Sequence, residues 1–271
     1  GVAVATTIGD EIVTAESINM SVLMAALVSA IVWNILTWVL GFPSSSSHAL
    51  IGGILGAVVM GAGWQAIEMS GLTKILVALF ASPIIGFLSG FIILRLSLLA
   101  SWKATPRVNS LFRRSQIVTA LALALSHGTN DAQKTMGIIT LALVTGGILD
   151  VFVVPTWVIL LCASMIAFGT AVGGWKLIKT LGGKFFRIRP VDGFASQFSS
   201  AAVILTASLV GGPVSTTQVV SSSIMGVGAA ERVNKVRWGV AQDIATAWLL
   251  TIPATALLAA GIYWLITLLI V

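Results

Sequence analysis

The chain has 271 residues, of which 57% are hydrophobic and only 9% charged, and its formal net charge is +6. Soluble domains carry about 25% charged residues, so a water-soluble globular fold is excluded. The single cysteine, Cys162, excludes an internal disulfide and a thiolate metal cage.

The first residues, Gly1 to Gly9, match Gly174 to Gly182 at an offset of 173, through Gly1/Gly174, Thr7/Thr180 and Gly9/Gly182. Read as a repeat, this places the start of the chain partway through its first copy. Asp10, Glu11 and Glu16 follow with no basic neighbour. An apolar span is predicted at Ser21–Leu40, with Asn34 in it as an interhelical hydrogen-bonder. The segment Pro43-Ser44-Ser45-Ser46-Ser47-His48 then breaks the apolar sequence, and a shorter apolar stretch leads to Glu68. A second span is predicted at Leu72–Leu99. Arg95, Lys103, Arg107, Arg113 and Arg114 cluster around the loop at its end, with 102–114 as a basic loop.

The third span, Gln116–Val144, contains Ser126-His127-Gly128-Thr129-Asn130-Asp131-Ala132-Gln133-Lys134-Thr135-Met136-Gly137. An ionisable residue at membrane depth is a functional-site hypothesis by default. Gly128 and Gly137 would allow a helix break or close backbone approach, and a half-helix starting here would present free N–H groups and a positive dipole end to an anion. Asn130 and Gln133 would donate to anion oxygens, and the Asp131 carboxylate would hold Na+ or carry a proton. The blander alternative is an internal ion pair between Asp131 and Lys134. It leaves Asn130, Gln133, His127 and the threonines unexplained.

Asp150 precedes a span at Val154–Gly173, and Lys176, Lys179, Lys184, Arg187 and Arg189 form a second basic cluster. The next span, Phe194–Val210, carries Gln197, either a gating residue or an interhelical bonder. It ends at Pro213-Val214-Ser215-Thr216-Thr217-Gln218, which lies 170 positions after the first break. The same offset pairs Ile54 with Ile224, Gly56 with Gly226 and Pro83 with Pro253. A third basic cluster, Arg232, Lys235 and Arg237, precedes the last span at Gly239–Val271, where Asp243 is expected to pair with Arg237 or a neighbour.

A proline followed by hydroxyl residues within a span is tolerated where the freed backbone lines a protected polar cavity. Corresponding breaks in two halves of a membrane protein point to a transporter's binding site. Assigning the basic clusters to the cytoplasm makes the two breaks enter from opposite faces. The expected fold is all-α, a polytopic helical membrane protein with inverted-topology repeats and broken or re-entrant helices. Residues 1–101 are the rest of the first repeat, and 115–271 are the second. Ser45, Ser46, Ser47, Ser215, Thr216 and Thr217 would contact the solute or cap the half-helices behind each proline. An intramembrane enzyme is disfavoured, since no Gly-x-Ser-x-Gly or His-Glu-x-x-His occurs. A passive channel or structural subunit would not need an ionisable pair at mid-depth.

His127-Gly128-Thr129-Asn130-Asp131-Ala132-Gln133-Lys134 resembles the second signature of the inorganic phosphate transporter (PiT) family. Gly212 to Gln218 and Phe42 to Leu50 resemble its two Pro-Ser-Thr segments, and the three motifs stand in register along the chain. The resemblance implies symport of phosphate with Na+ or H+, with both ions bound where the inverted repeats meet; another oxyanion such as sulfate is the alternative. It implies Thr129, Asn130, Gln133, Ser45, Ser46, Ser47, Ser215, Thr216 and Thr217 as phosphate ligands. Asp131 and Asn130 would couple the cation, and His48, Gln197, Gln218 and His127 would support or gate the site. No cofactor and no metal are implied beyond a Na+ at Asp131. The implied partners are the anion and the lipid bilayer of a bacterial or archaeal plasma membrane, with a homodimer as an option and no nucleic acid. Two departures stand out. The family's first Gly-Ala-Asn-Asp signature is not in this sequence, and its expected place is upstream of Gly1. Gln218 stands where the family usually has His, so it hydrogen-bonds without titrating.

Overall fold

In the computed structural model, residues 2–10, 18–180, 182 and 185–270 are described. Gly1, Glu11, Glu16, Leu181, Lys184 and Val271, which entered the reading above, lie outside them. The helices are α1 (Ala3–Asp10), α2 (Met20–Leu40), α3 (Ser46–Ala62), α4 (Met69–Ala100) and α5 (Val108–Thr145). They continue with α6 (Thr156–Val172), α7 (Trp175–Lys179), α8 (Pro190–Leu209), α9 (Thr216–Glu231) and α10 (Trp238–Ile270). Helices α2, α4 and α10 are long and apolar enough to cross a membrane. Their outward residues, such as Ile31, Ile35, Leu88, Ile92, Leu257 and Leu268, are exposed in the isolated chain, as lipid-facing positions are.

The two breaks share one local architecture. Gly41 at φ 76° ends α2, and Gly211 at φ 74° follows α8, both in the left-handed region that glycine tolerates. Phe42 N donates to Thr37 O at 2.9 Å, and Gly212 N to Ala207 O at 2.8 Å. Beyond each proline a serine caps the next helix. Ser45 Oγ accepts from His48 N at 3.2 Å, and Ser215 Oγ accepts from Gln218 N at 3.3 Å. Helices α8 and α9 start 170 positions after α2 and α3, and α10 starts 169 after α4.

The prolines inside α4 and α10 do not end them. At Pro83 the missing N–H would have bonded Leu79 O, and Ser82 Oγ donates there instead at 2.8 Å.

Packing crosses the two halves. Helix α3 lies along α10, and α9 along α4. A Cβ on Gly56 would collide with Ala256 O, and one on Gly226 with Phe87 O, so bare glycine sets these approaches.

At the end of the molecule where α8 begins, Asp192 is fully buried. It accepts from the Arg189 guanidinium at 2.9 and 3.1 Å, from Arg189 N at 3.0 Å and from Lys235 Nζ at 3.2 Å. Glu231 also pairs with Arg189 and Lys235. The second and third basic clusters therefore meet, and Arg237 N donates to Phe185 O at 3.2 Å in the same place. Asp243 is exposed and makes no ion pair among the described residues. Arg237 precedes α10, and six residues of separation carry Asp243 past the spacing at which helical neighbours meet.

Candidate functional site

Helix α5 runs without interruption from Val108 to Thr145, so the break that Gly128 and Gly137 would allow does not occur. Nor does a dipole end at Asn130. The glycines serve otherwise: Gly137 lets α1 approach, since a Cβ there would lie 2.6 Å from Ala5 O, and Gly128 borders open space. Asn130, Asp131, Gln133 and Lys134 bond to groups on other elements, so the helical ladder has no reason to open.

Spacing of three and four residues places His127, Asp131 and Lys134 side by side. His127 Nε2 lies 3.0 Å from Asp131 Oδ2, and Lys134 Nζ 2.6 Å from Asp131 Oδ1. Thr216, in the first turn of α9, reaches both carboxylate oxygens through Oγ1, at 3.0 and 3.2 Å. Lys134 is buried and also donates to Val214 O at 2.9 Å. That carbonyl belongs to the second break, and it accepts from Ser47 Oγ of the first at 3.4 Å. One residue on, His48 Nδ1 and Gln218 Nε2 lie 3.4 Å apart, and Ser82 Oγ lies 3.4 Å from Gln218 Oε1. The two breaks thus touch one another, and the carboxylate–ammonium pair of α5 closes one side. The first turns of α3 and α9 bring the positive ends of two helices to this place.

The remaining sequence-predicted residues divide. Ser45 and Ser215 are buried caps, with their hydroxyls accepting from backbone N–H groups. Ser46 is exposed and Thr217 half-buried; neither makes a side-chain hydrogen bond among the described residues. Asn130 is fully buried and donates to Ser208 Oγ of α8 at 2.8 Å, while its Oδ1 has no partner among them. Gln133 points away from the breaks and accepts from Val4 N at 3.0 Å. Thr129 is exposed; its hydroxyl bonds Leu125 O, and it lines a groove of about 480 Å³ between α5 and α6. Gln197 accepts from Thr119 Oγ1 at 2.7 Å and ties α8 to α5.

Sequence reasoning missed Val214, which acts through a backbone carbonyl and so leaves no side-chain signature. It missed Ser82, although a serine just before an intrahelical proline is a readable signal. Asp192 was also missed, though an acidic residue in a first turn that opens Arg-Pro-x-Asp marks a helix start.

The family model for the phosphate transporter family matches residues 1–104 and 97–259. A probable low-affinity inorganic phosphate transporter of Bacillus subtilis (strain 168) is 48% identical over 247 residues, covering 90% of this chain and 74% of that protein. Its counterpart in Rhizobium meliloti (strain 1021) is 46% identical, covering 97% and 80%. A solved structure described as the sodium-dependent phosphate transporter superposes with a TM-score of 0.91, covering 99% of this chain and 86% of that one, at 24% identity. With its apolar spans and these relatives, this is a multi-pass helical protein of the plasma membrane. The chain belongs to the phosphate transporter family.

Proposed function

We propose that the protein is a secondary transporter that moves inorganic phosphate across the membrane by symport with Na+ or H+. The observation that carries this reading is the meeting of the two broken segments at Val214 O, beside Asp131. Two helix N-termini supply unbonded N–H groups and positive dipole ends, which suit a multiply charged oxyanion. Ser46, Ser47, Thr216 and Thr217 add hydroxyl donors, and the Asn130 amide adds a further polar group. Among the described residues Asp131 is the carboxylate facing them, and it links anion binding to a cation.

The two halves act as inverted repeats, with the three basic clusters on the cytoplasmic side. Alternating access exposes the meeting point of the breaks to each side in turn. The relatives' names support phosphate as the solute.

The test is uptake of labelled phosphate by proteoliposomes carrying the full-length protein, with imposed Na+ or pH gradients and sulfate as competitor. Coupled symport predicts accumulation driven by at least one gradient and resistant to sulfate. Uptake indifferent to both gradients would refute it.

A further inference from the structure

Asp131 faces a cation that the chain itself supplies. Transporters hold Na+ with carboxylates, hydroxyls and the carbonyls of unwound backbone. Such oxygens gather here: Asp131 Oδ1, Val214 O from the unwound stretch before α9, Thr216 Oγ1 and Ser47 Oγ. The Lys134 ammonium sits among them, 2.6 Å from Asp131 Oδ1 and 2.9 Å from Val214 O, with its side chain buried. It is a compact point charge with three donors, close in kind to a small monovalent ion. A Na+ entering this cluster would lie within a few ångströms of it. Two unit charges about 4 Å apart, at an effective dielectric near 20, weaken binding by about a thousandfold.

We propose that Lys134 is the resident cation of this site: its ammonium takes the place at Asp131 and Val214 that a coupling Na+ would otherwise occupy. Transport by this chain then requires no Na+ at Asp131. The inference rests on the phosphate-transport reading and narrows it. It also separates this chain from its structural neighbour, which is described as sodium-dependent. Two of the three ammonium protons are taken by Asp131 and Val214, and the third is directed to an oxygen of the anion. Lys134 thereby bridges the carboxylate and the substrate.

A merely structural ion pair makes a different prediction, because removing the lysine would then destabilise the protein without creating a new site. The experiment is thermal unfolding of the purified full-length protein in NaCl against N-methylglucamine chloride at equal ionic strength. Wild type shows no Na+-specific shift. Lys134→Asn gains a saturable Na+-specific rise in melting temperature, and adding Asp131→Asn removes it. In proteoliposomes wild-type uptake is equal in Na+ and choline media. Uptake by Lys134→Asn falls about tenfold or more in choline, a loss of about 1.4 kcal/mol, and Na+ restores it. A Na+-specific shift in wild type that Asp131→Asn abolishes would overturn the proposal, as would a folded Lys134→Asn protein blind to Na+. If Lys134→Asn does not fold, Lys134→Gln carries the same comparison, and a Na+-specific shift in wild type still overturns the proposal. Absence of phosphate uptake in every medium would refute the transport reading, while the melting curves still judge Lys134.

Discussion

His48 and Gln218 occupy equivalent places in the two broken segments, 170 positions apart, and their side chains meet at 3.4 Å. Both are buried, and Ser82 of α4 lies beside the Gln218 amide. The amide can give a proton to His48 Nδ1, while the Ser82 hydroxyl, whose single proton goes to Leu79 O, lies 3.4 Å from its oxygen. Gln218→Leu strips His48 Nδ1 of its partner in a dry setting, while Ser82 keeps Leu79 O, and should cost about 1–3 kcal/mol of stability. Thermal unfolding of the variant beside wild type measures it.

Asp131 and Lys134 should show strong non-additivity. Breaking a buried pair by removing one partner costs about 3–5 kcal/mol, because the other charge is stranded. Asp131→Asn and Lys134→Met should each be destabilising on that scale, and the double variant should recover much of the loss. A double-mutant cycle in the melting experiment reads the coupling. Phosphate uptake should be lost in Asp131→Asn even under conditions where that variant is folded.

The glycines of the chain should split sharply by position. Gly226→Ala drives a methyl into Phe87 O and Gly56→Ala drives one into Ala256 O, so each should cost about 1–3 kcal/mol or more through overpacking. Gly128→Ala meets nothing within 4 Å inside a continuous helix, and should stabilise by about 0.5–1 kcal/mol. A variant series in the same melting assay ranks them.

Acid should loosen the molecule first where α8 begins. Burial pushes the Asp192 carboxyl up, but the Arg189 side chain and backbone N–H, with Lys235, outweigh this and hold it below the usual range. A carboxyl depressed in the folded state adds stability above its unfolded value near pH 4, and that contribution disappears as pH falls through the folded value. The melting temperature should therefore drop below about pH 4. Asp192→Asn should be less stable at pH 7 and show a flatter profile.

The spans at α2, α4 and α10 and both breaks were legible in the sequence, because a bilayer imposes apolar runs and a proline with hydroxyls stands out against them. The limits Ser21–Leu40 agree with α2, Met20–Leu40, to within one residue, and Val154–Gly173 with the shorter apolar helix α6, Thr156–Val172, to within two. The run of polar residues at 126–137 was legible as a site but misread as a break. A polar run in a membrane helix can be satisfied by opening the backbone or by side chains on neighbouring helices, and Ser208, Thr216 and Val214 make it the second. Those partners lie 78 to 85 residues away, beyond the reach of local pattern. Arg113 and Arg114, read as loop, fall in the early turns of α5, since nothing in the chain between Val108 and Gln116 stops a helix.

The crossing of α3 onto α10 and of α9 onto α4 bears on what can move. Sliding the first half of the sequence against the second would tear Gly56 from Ala256 and Gly226 from Phe87, two backbone approaches with no room for a Cβ. A body that travels intact must contain α3 with α10, or α9 with α4, and so draws its parts from both ends of the chain. The midpoint of the sequence is therefore not a seam along which these packed helices can part. Neither half made alone would have the surface that its broken helix is built to rest on.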